Sequence, residues 1–171
     1  DSIYTFEPNP NSREIISKNF KLNNIDANLM KYALSNESGT VELETTGCDT
    51  AGRAAINVNE SLENHSEYTD SISVQQIRGD ELISQDVCPP DVMKLDVEGA
   101  EGLVLAGLQN MLDNGTCRTI FFELHMPSEI GQSIEDYGFS EKEVLDIMEN
   151  TGYDIEILSE TEGNIRAKAT R

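Results

Sequence analysis

Residues 91–97, Asp-Val-Met-Lys-Leu-Asp-Val, read as a buried strand that runs straight into Glu98-Gly99 and then into a helical pattern. The helix carries Val104, Leu108, Met111 and Leu112 on one side and stops at Asn114-Gly115, a C-terminal signal. A strand that passes through a glycine into an amphipathic helix is the repeating step of an α/β sheet. Along the strand, positions 94, 96 and 98 share one face. Lys94 and Asp96 inside so apolar a segment must be paired or kept for function, because stranded charge there is expensive. Glu98 and Glu101 fall at the start of the helix, where the helix dipole favours negative charge and gives both a structural explanation.

The rest of the chain extends the same alternation. Residues 2–6 predict a strand ending at Glu7-Pro8, and Asn9 caps a helix with Pro10 at its first position. Ile15, Ile16, Phe20 and Leu22 give that helix an apolar face, and it ends near Asn23-Asn24. Strands are expected at about 28–34, 40–44 and 71–77, with a short helical turn around 80–83. The stretch from 45 to 70 is polar and weakly patterned, and reads as a lid or an insertion. Arg118 to Leu124 predicts a strand with Ile120, Phe121 and Phe122 at its centre. Ser140 and Glu143 form a capping box for a helix ending at Gly152, and 153–158 and 165–169 read as a closing strand pair. The pattern implies a single domain over 1–171, built on a mostly parallel sheet with helices on both faces.

Charge narrows the class of partner. Asp and Glu number 32 against 12 Lys and Arg, a formal charge of −20. Such a surface repels nucleic-acid phosphates and anionic membranes, so neither is expected as a partner. A salt-adapted cytoplasm explains the excess economically, and an ordinary acidic enzyme is the alternative. Cys48, Cys88 and Cys117 are widely spaced, without a CxxC pair, which points to reduced thiols in a cytosol rather than a zinc site or disulfide framework. No apolar run approaches the roughly 20 residues of a membrane span. Oligomeric state has no signal in the sequence.

Ligands of an open α/β sheet sit beyond the carboxyl ends of its strands, and polar groups fall at three such ends. Glu7 follows the first strand, where a carboxylate can accept from the two ribose hydroxyls of a nucleoside; an exposed loop acid is the plain alternative. Asp96, with Glu98 beside it, is the second. The third is Glu123-Leu124-His125, which puts an acid and an imidazole on one face. Histidine can take a proton near neutral pH, although a histidine at a strand end also serves packing and hydrogen bonding.

Phe6-Glu7-Pro8-Asn9-Pro10, the helix ending at Asn23, the Ala33-Leu34-Ser35 strand end and Gly39 together resemble the FkbM family of S-adenosylmethionine-dependent methyltransferases. Lys94-Leu95-Asp96-Val97-Glu98-Gly99-Ala100-Glu101 resembles that family's most distinctive block, which Leu105-Ala106-Gly107 and Phe121-Phe122-Glu123-Leu124-His125 continue. The resemblance runs from residue 1 to about 158. It implies a Rossmann-like class I methyltransferase sheet that acts on a hydroxyl oxygen of a small molecule or sugar. By the same resemblance, Glu7, Pro8 and Asn9 would hold the cofactor ribose, Ala33 and Leu34 would border the adenine, and Asp96 would stand near the methyl-bearing sulfonium. Asp96, Glu98, Glu123 and His125 are then the catalytic candidates, for aligning the acceptor and moving its proton. No metal is expected, although these carboxylates could hold a divalent cation as in some O-methyltransferases.

Members of the family begin this domain with a strand and a glycine-rich turn upstream of the Phe-Glu-Pro segment, whereas this chain starts at Asp1. The first strand is therefore expected to be absent, leaving the strands of 2–6 and 91–97 without their common neighbour. Such a chain is expected to bind S-adenosylmethionine weakly or not at all. Two rival readings remain: a nicotinamide-dependent oxidoreductase fragment, which gives no reason for the 94–101 block, and a non-catalytic fragment of a methyltransferase domain.

Overall fold

The computed structural model describes residues 2–45, 54–56, 70–85, 87–128 and 132–171. The expected single domain packs as two compact units, Asp1–Leu34 with Ser38–Ile77 and Ser35–Glu37 with Arg78–Arg171. Most of the polar stretch read as a lid or insertion lies outside the described residues, as do Cys48, Arg53 and His65.

In the first unit, β1 (Tyr4–Phe6) and β2 (Asn28–Met30) pair in parallel, joined by α1 (Pro10–Asn23). The helix begins and ends where its sequence signals fall. Asn9 Oδ1 accepts from the Asn11 N–H at 2.9 Å, and Asn24 closes the helix at φ 54. Its apolar face is only partly covered: Leu22 is 78% exposed, and no residue of α1 is fully buried. The strand expected over 28–34 is two strands, because Lys31-Tyr32 interrupts it and β3 (Ala33–Ser35) joins a different sheet. That sheet runs in the order β3-β6-β4-β5, with β4 (Gly39–Thr45) antiparallel to both β5 (Ala54–Ile56) and β6 (Asp70–Arg78).

The second unit opens with α2 (Gly79–Gln85) and β7 (Val92–Leu95). The helix expected after Gly99 breaks at Leu108 into α3 (Glu101–Gly107) and α4 (Gln109–Asn114). Asp80 accounts for the restart, since its carboxylate accepts from the Asn110 and Met111 N–H groups at 3.0 and 3.1 Å and so caps the second segment. β8 (Thr119–His125), a short 3-10 helix (Ile134–Tyr137) that the sequence pattern did not announce, α5 (Glu141–Asn150) and the hairpin β9 (Asp154–Thr161) and β10 (Asn164–Thr170) complete the unit. Both bonds of the Ser140–Glu143 capping box are formed.

The order of this second sheet is β7-β8-β10-β9. β7 and β8 are parallel, and β10 runs antiparallel to β8 and to β9. The fold is α/β, and among the described residues the sheets are mixed rather than mostly parallel. A two-residue turn, Glu162-Gly163, can only fold β10 back against β9, and Gly163 supplies the φ of 91 that the turn requires. Ile120, Phe122 and Leu124 of β8 are buried in a core shared with Leu105, Leu112, Val144 and Met148, each contributing roughly 1.5–3 kcal/mol. On the alternate face Phe121 is 41% and Val92 56% exposed. Glu123 and His125 share this face with Phe121.

The charge of −20 has a consequence for stability. Self-repulsion among surface carboxylates is screened over about 10 Å at 0.1 M salt and about 3 Å at 1 M. The thermal midpoint is expected to climb steadily between 0.1 and 2 M KCl. A midpoint that stays flat or falls across that range would rule out salt adaptation.

Candidate active site

The site in the second unit is built at the carboxyl ends of two neighbouring strands. β7 ends at Leu95, and the chain turns through Asp96, Val97, Glu98 and Gly99 into α3. Both residues at the apex are left-handed, Glu98 at φ 52 and Gly99 at φ 100. A Cβ on Gly99 would stand 2.9 Å from the Ser133 carbonyl oxygen, so position 99 needs glycine for space as well as for φ. Glu98 holds its conformation against a steric penalty of about 1–2 kcal/mol. Such strain gathers where a side chain must be aimed.

Its target is His125, at the end of β8. His125 Nε2 lies 3.6 Å from Glu98 Oε2 and 4.0 Å from Asp96 Oδ1, while Nδ1 lies 2.8 Å from Glu101 Oε1. The imidazole is 12% exposed, and Glu101 is wholly buried. Asp96 is balanced from the other side, with Lys94 Nζ at 2.5 Å from its Oδ2. Burial of His125 disfavours its charged form. The hydrogen bond to Glu101 and the charges of Glu101, Glu98 and Asp96 outweigh that, so its pKa stands above the ordinary 6.5.

Asp96, Glu98 and His125 each bring one donor atom within 4.8 Å of the others, a spacing that a divalent cation could bridge. Lys94 and a protonated imidazole answer the same charges without one, so the set serves equally as a proton-handling cluster. Glu123, the fourth catalytic candidate, is engaged differently. Arg166 grips both of its oxygens, Nε at 2.9 Å and Nη2 at 3.0 Å, and the Asn164 amide adds a third bond at 2.9 Å.

The cofactor candidates Glu7, Pro8, Asn9, Ala33 and Leu34 belong to the first unit. Glu7 follows β1, and its N–H extends the β1–β2 ladder by donating to the Met30 carbonyl at 3.1 Å. One carboxylate oxygen accepts from the Asn9 N–H at 2.8 Å. Arg13 ties down the loop by donating to the Glu7 and Pro8 carbonyls. Burial raises the Glu7 pKa, with the Asn9 hydrogen bond and the Arg13 charge opposing it. A half-buried acid of this kind gains from partners that donate to it, as a pair of ribose hydroxyls would.

Comparison with known proteins bears on this geometry. Residues 1–155 match the model of the methyltransferase FkbM domain. The chain belongs to the FkbM methyltransferase family. It is 29% identical over 125 residues to the hexuronic acid methyltransferase AglP of Haloferax volcanii, covering 72% of this chain and 47% of that protein. The crystal structure of a methyltransferase FkbM from Methylobacillus flagellatus KT superposes with a TM-score of 0.58 at 11% identity, over 98% of this chain and 36% of the other. That likeness concerns the fold. The chain thus spans less than half the length of the curated relative.

In this FkbM domain, three of the four expected catalytic residues, Asp96, Glu98 and His125, come together, and Glu123 is committed to Arg166. Two contributors were not read from the sequence. The helix dipole offers Glu101 a structural explanation, yet it lies three residues before Val104 and seven before Leu108, which puts an acid on the buried stripe of the helix. That spacing is the sequence signal of its burial. Arg166 gave none, because its pairing with Glu123 depends on the β8–β10 register.

Proposed function

We propose that this FkbM domain transfers a methyl group from S-adenosylmethionine to an oxygen of a sugar, with His125 receiving the acceptor's proton. When bound, the cofactor supplies an electrophilic methyl group on a good leaving group, so the protein's task is alignment and proton removal. Glu7 suits the ribose: it is a half-buried acceptor fixed by Asn9 and Arg13. Asp96 and Glu98 present negative charge around His125, which suits a cationic sulfonium and steadies the imidazolium formed when the proton is taken. Glu123, held by Arg166, shapes this face.

The observation that carries the proposal is an imidazole facing two carboxylates across adjacent strand ends, in a chain of a methyltransferase family. A sugar acceptor is supported by the relative named for hexuronic acid. The free thiols of Cys88 and Cys117 suit a reducing cytoplasm as the place of work. Protein expressed from its full reading frame, given methyl-labelled S-adenosylmethionine and a panel of neutral and uronic-acid glycans, should label at least one sugar. Cofactor bound with low-micromolar affinity but label in no glycan would refute the acceptor class, and no binding at all would refute the reaction.

A further inference from the structure

We infer that Glu101 is a positioning residue for His125: it accepts the Nδ1 proton, fixes the ring, and leaves Nε2 as the nitrogen that takes the acceptor's proton. The inference rests on the proposed role of His125. Glu101 Oε1 accepts from the Val97 and Gly99 N–H groups, each at 3.2 Å, and meets His125 Nδ1 at 2.8 Å. The side chain is wholly buried, and among the described residues Oε2 has no hydrogen-bond partner. Leaving a carboxylate oxygen buried and unsatisfied is costly, and holding the strand–helix turn does not require it. A neutral amide would accept from the same two backbone groups. What only the carboxylate provides is negative charge behind the imidazole as the ring becomes cationic.

The surroundings leave this role to Glu101. Asp96 and Glu98 face Nε2, and Lys94 occupies the other oxygen of Asp96. Glu123, two residues earlier on the same strand face, is neutralised by Arg166. From β10, Asn164 stands opposite His125 in register and spends its amide on Glu123. Among the described residues, Glu101 alone faces Nδ1. A ring pinned at Nδ1 has one nitrogen to offer, directed at the two carboxylates.

Glu101→Gln separates positioning from mere support of the turn, because it keeps the shape and the acceptor oxygen and removes the charge. The chain has two histidines, so a spectrum of protein labelled with 15N-histidine can be assigned with one His65 substitution. In the wild type, the neutral ring of His125 should carry its proton on Nδ1. In the Gln variant, His125 should titrate at lower pH than in the wild type. The rising limb of the pH–rate profile should move with it, and kcat should fall by roughly tenfold or more with KM little changed. A folded Gln variant with unchanged titration and profile would overturn the inference. A wild-type ring protonated on Nε2 would do the same, and that measurement decides the matter even if the variant fails to fold. Nδ1 protonation in a protein with no methyl transfer would refute the function and leave the positioning role standing.

Discussion

Gly107→Ala is expected to destabilise the protein by about 3 kcal/mol or more, against the usual direction of a glycine-to-alanine change in a helix. At an unobstructed helical site, the substitution gains up to about 1 kcal/mol in propensity. Gly107 is buried at the end of α3, where a Cβ would overlap the Ser35 carbonyl oxygen and approach the Asn36 Cα to 3.2 Å. Ser35 is itself buried, at 2% exposure, and the obstacle is backbone, which cannot rotate aside. The steric cost therefore exceeds the propensity gain. A thermal midpoint lowered by roughly 6–12 °C is the expected reading. Gly39→Ala serves as the control, because a Cβ there meets nothing within 4 Å. A Gly107→Ala protein that melts with the wild type would show that α3 does not approach residue 35 closely.

His125→Ala is expected to slow methylation of a hydroxyl acceptor by about 10²–10⁴-fold at neutral pH, the usual contribution of a positioned base. A sugar hydroxyl is a very weak acid and needs its proton taken. A uronate carboxylate arrives already ionised and needs no base, so on such an acceptor the loss should be less than about tenfold. The same variant thus tests the role of His125 and sorts the two kinds of oxygen that a uronic acid offers. The pH dependence has a definite sign. Because the folded-state pKa of His125 is raised, the wild-type rate should increase with pH as the ring loses its proton, above the ordinary imidazole value. Stability moves the other way. The contribution of the protonated ring is complete below the unfolded pKa and is lost as pH rises through the raised folded value. The wild type's advantage over His125→Ala in chemical denaturation should therefore shrink with increasing pH. An advantage that grows would contradict the arrangement of carboxylates around the ring.

Local chemistry made much of this molecule readable. Asn9-Pro10, Asn114-Gly115 and the Ser140–Glu143 box mark helix ends with groups that satisfy free backbone donors or adopt left-handed φ, and those ends fall where the signals lie. Misreadings arose where the deciding partner is distant in sequence. The break at Leu108 depends on Asp80 reaching across 30 residues to Asn110. Sheet direction was misjudged because a closing strand pair does not announce that its second strand lies between β8 and β9. At the site, Asp96, Glu98, Glu123 and His125 can be picked out as polar groups at strand ends, whereas the pairing of both Glu123 oxygens with Arg166 depends on the cross-strand register. Glu101 was legible in part, and its contact with a histidine 24 residues away was not.

The left-handed backbone at Glu98 also shapes how the protein would respond to engineering. Asparagine or glycine would relax that turn, so a screen for heat tolerance alone would favour both replacements there. Each would remove a carboxylate 3.6 Å from the imidazole. Under the proposed role of that carboxylate, thermostabilisation and turnover are set against each other at a single codon.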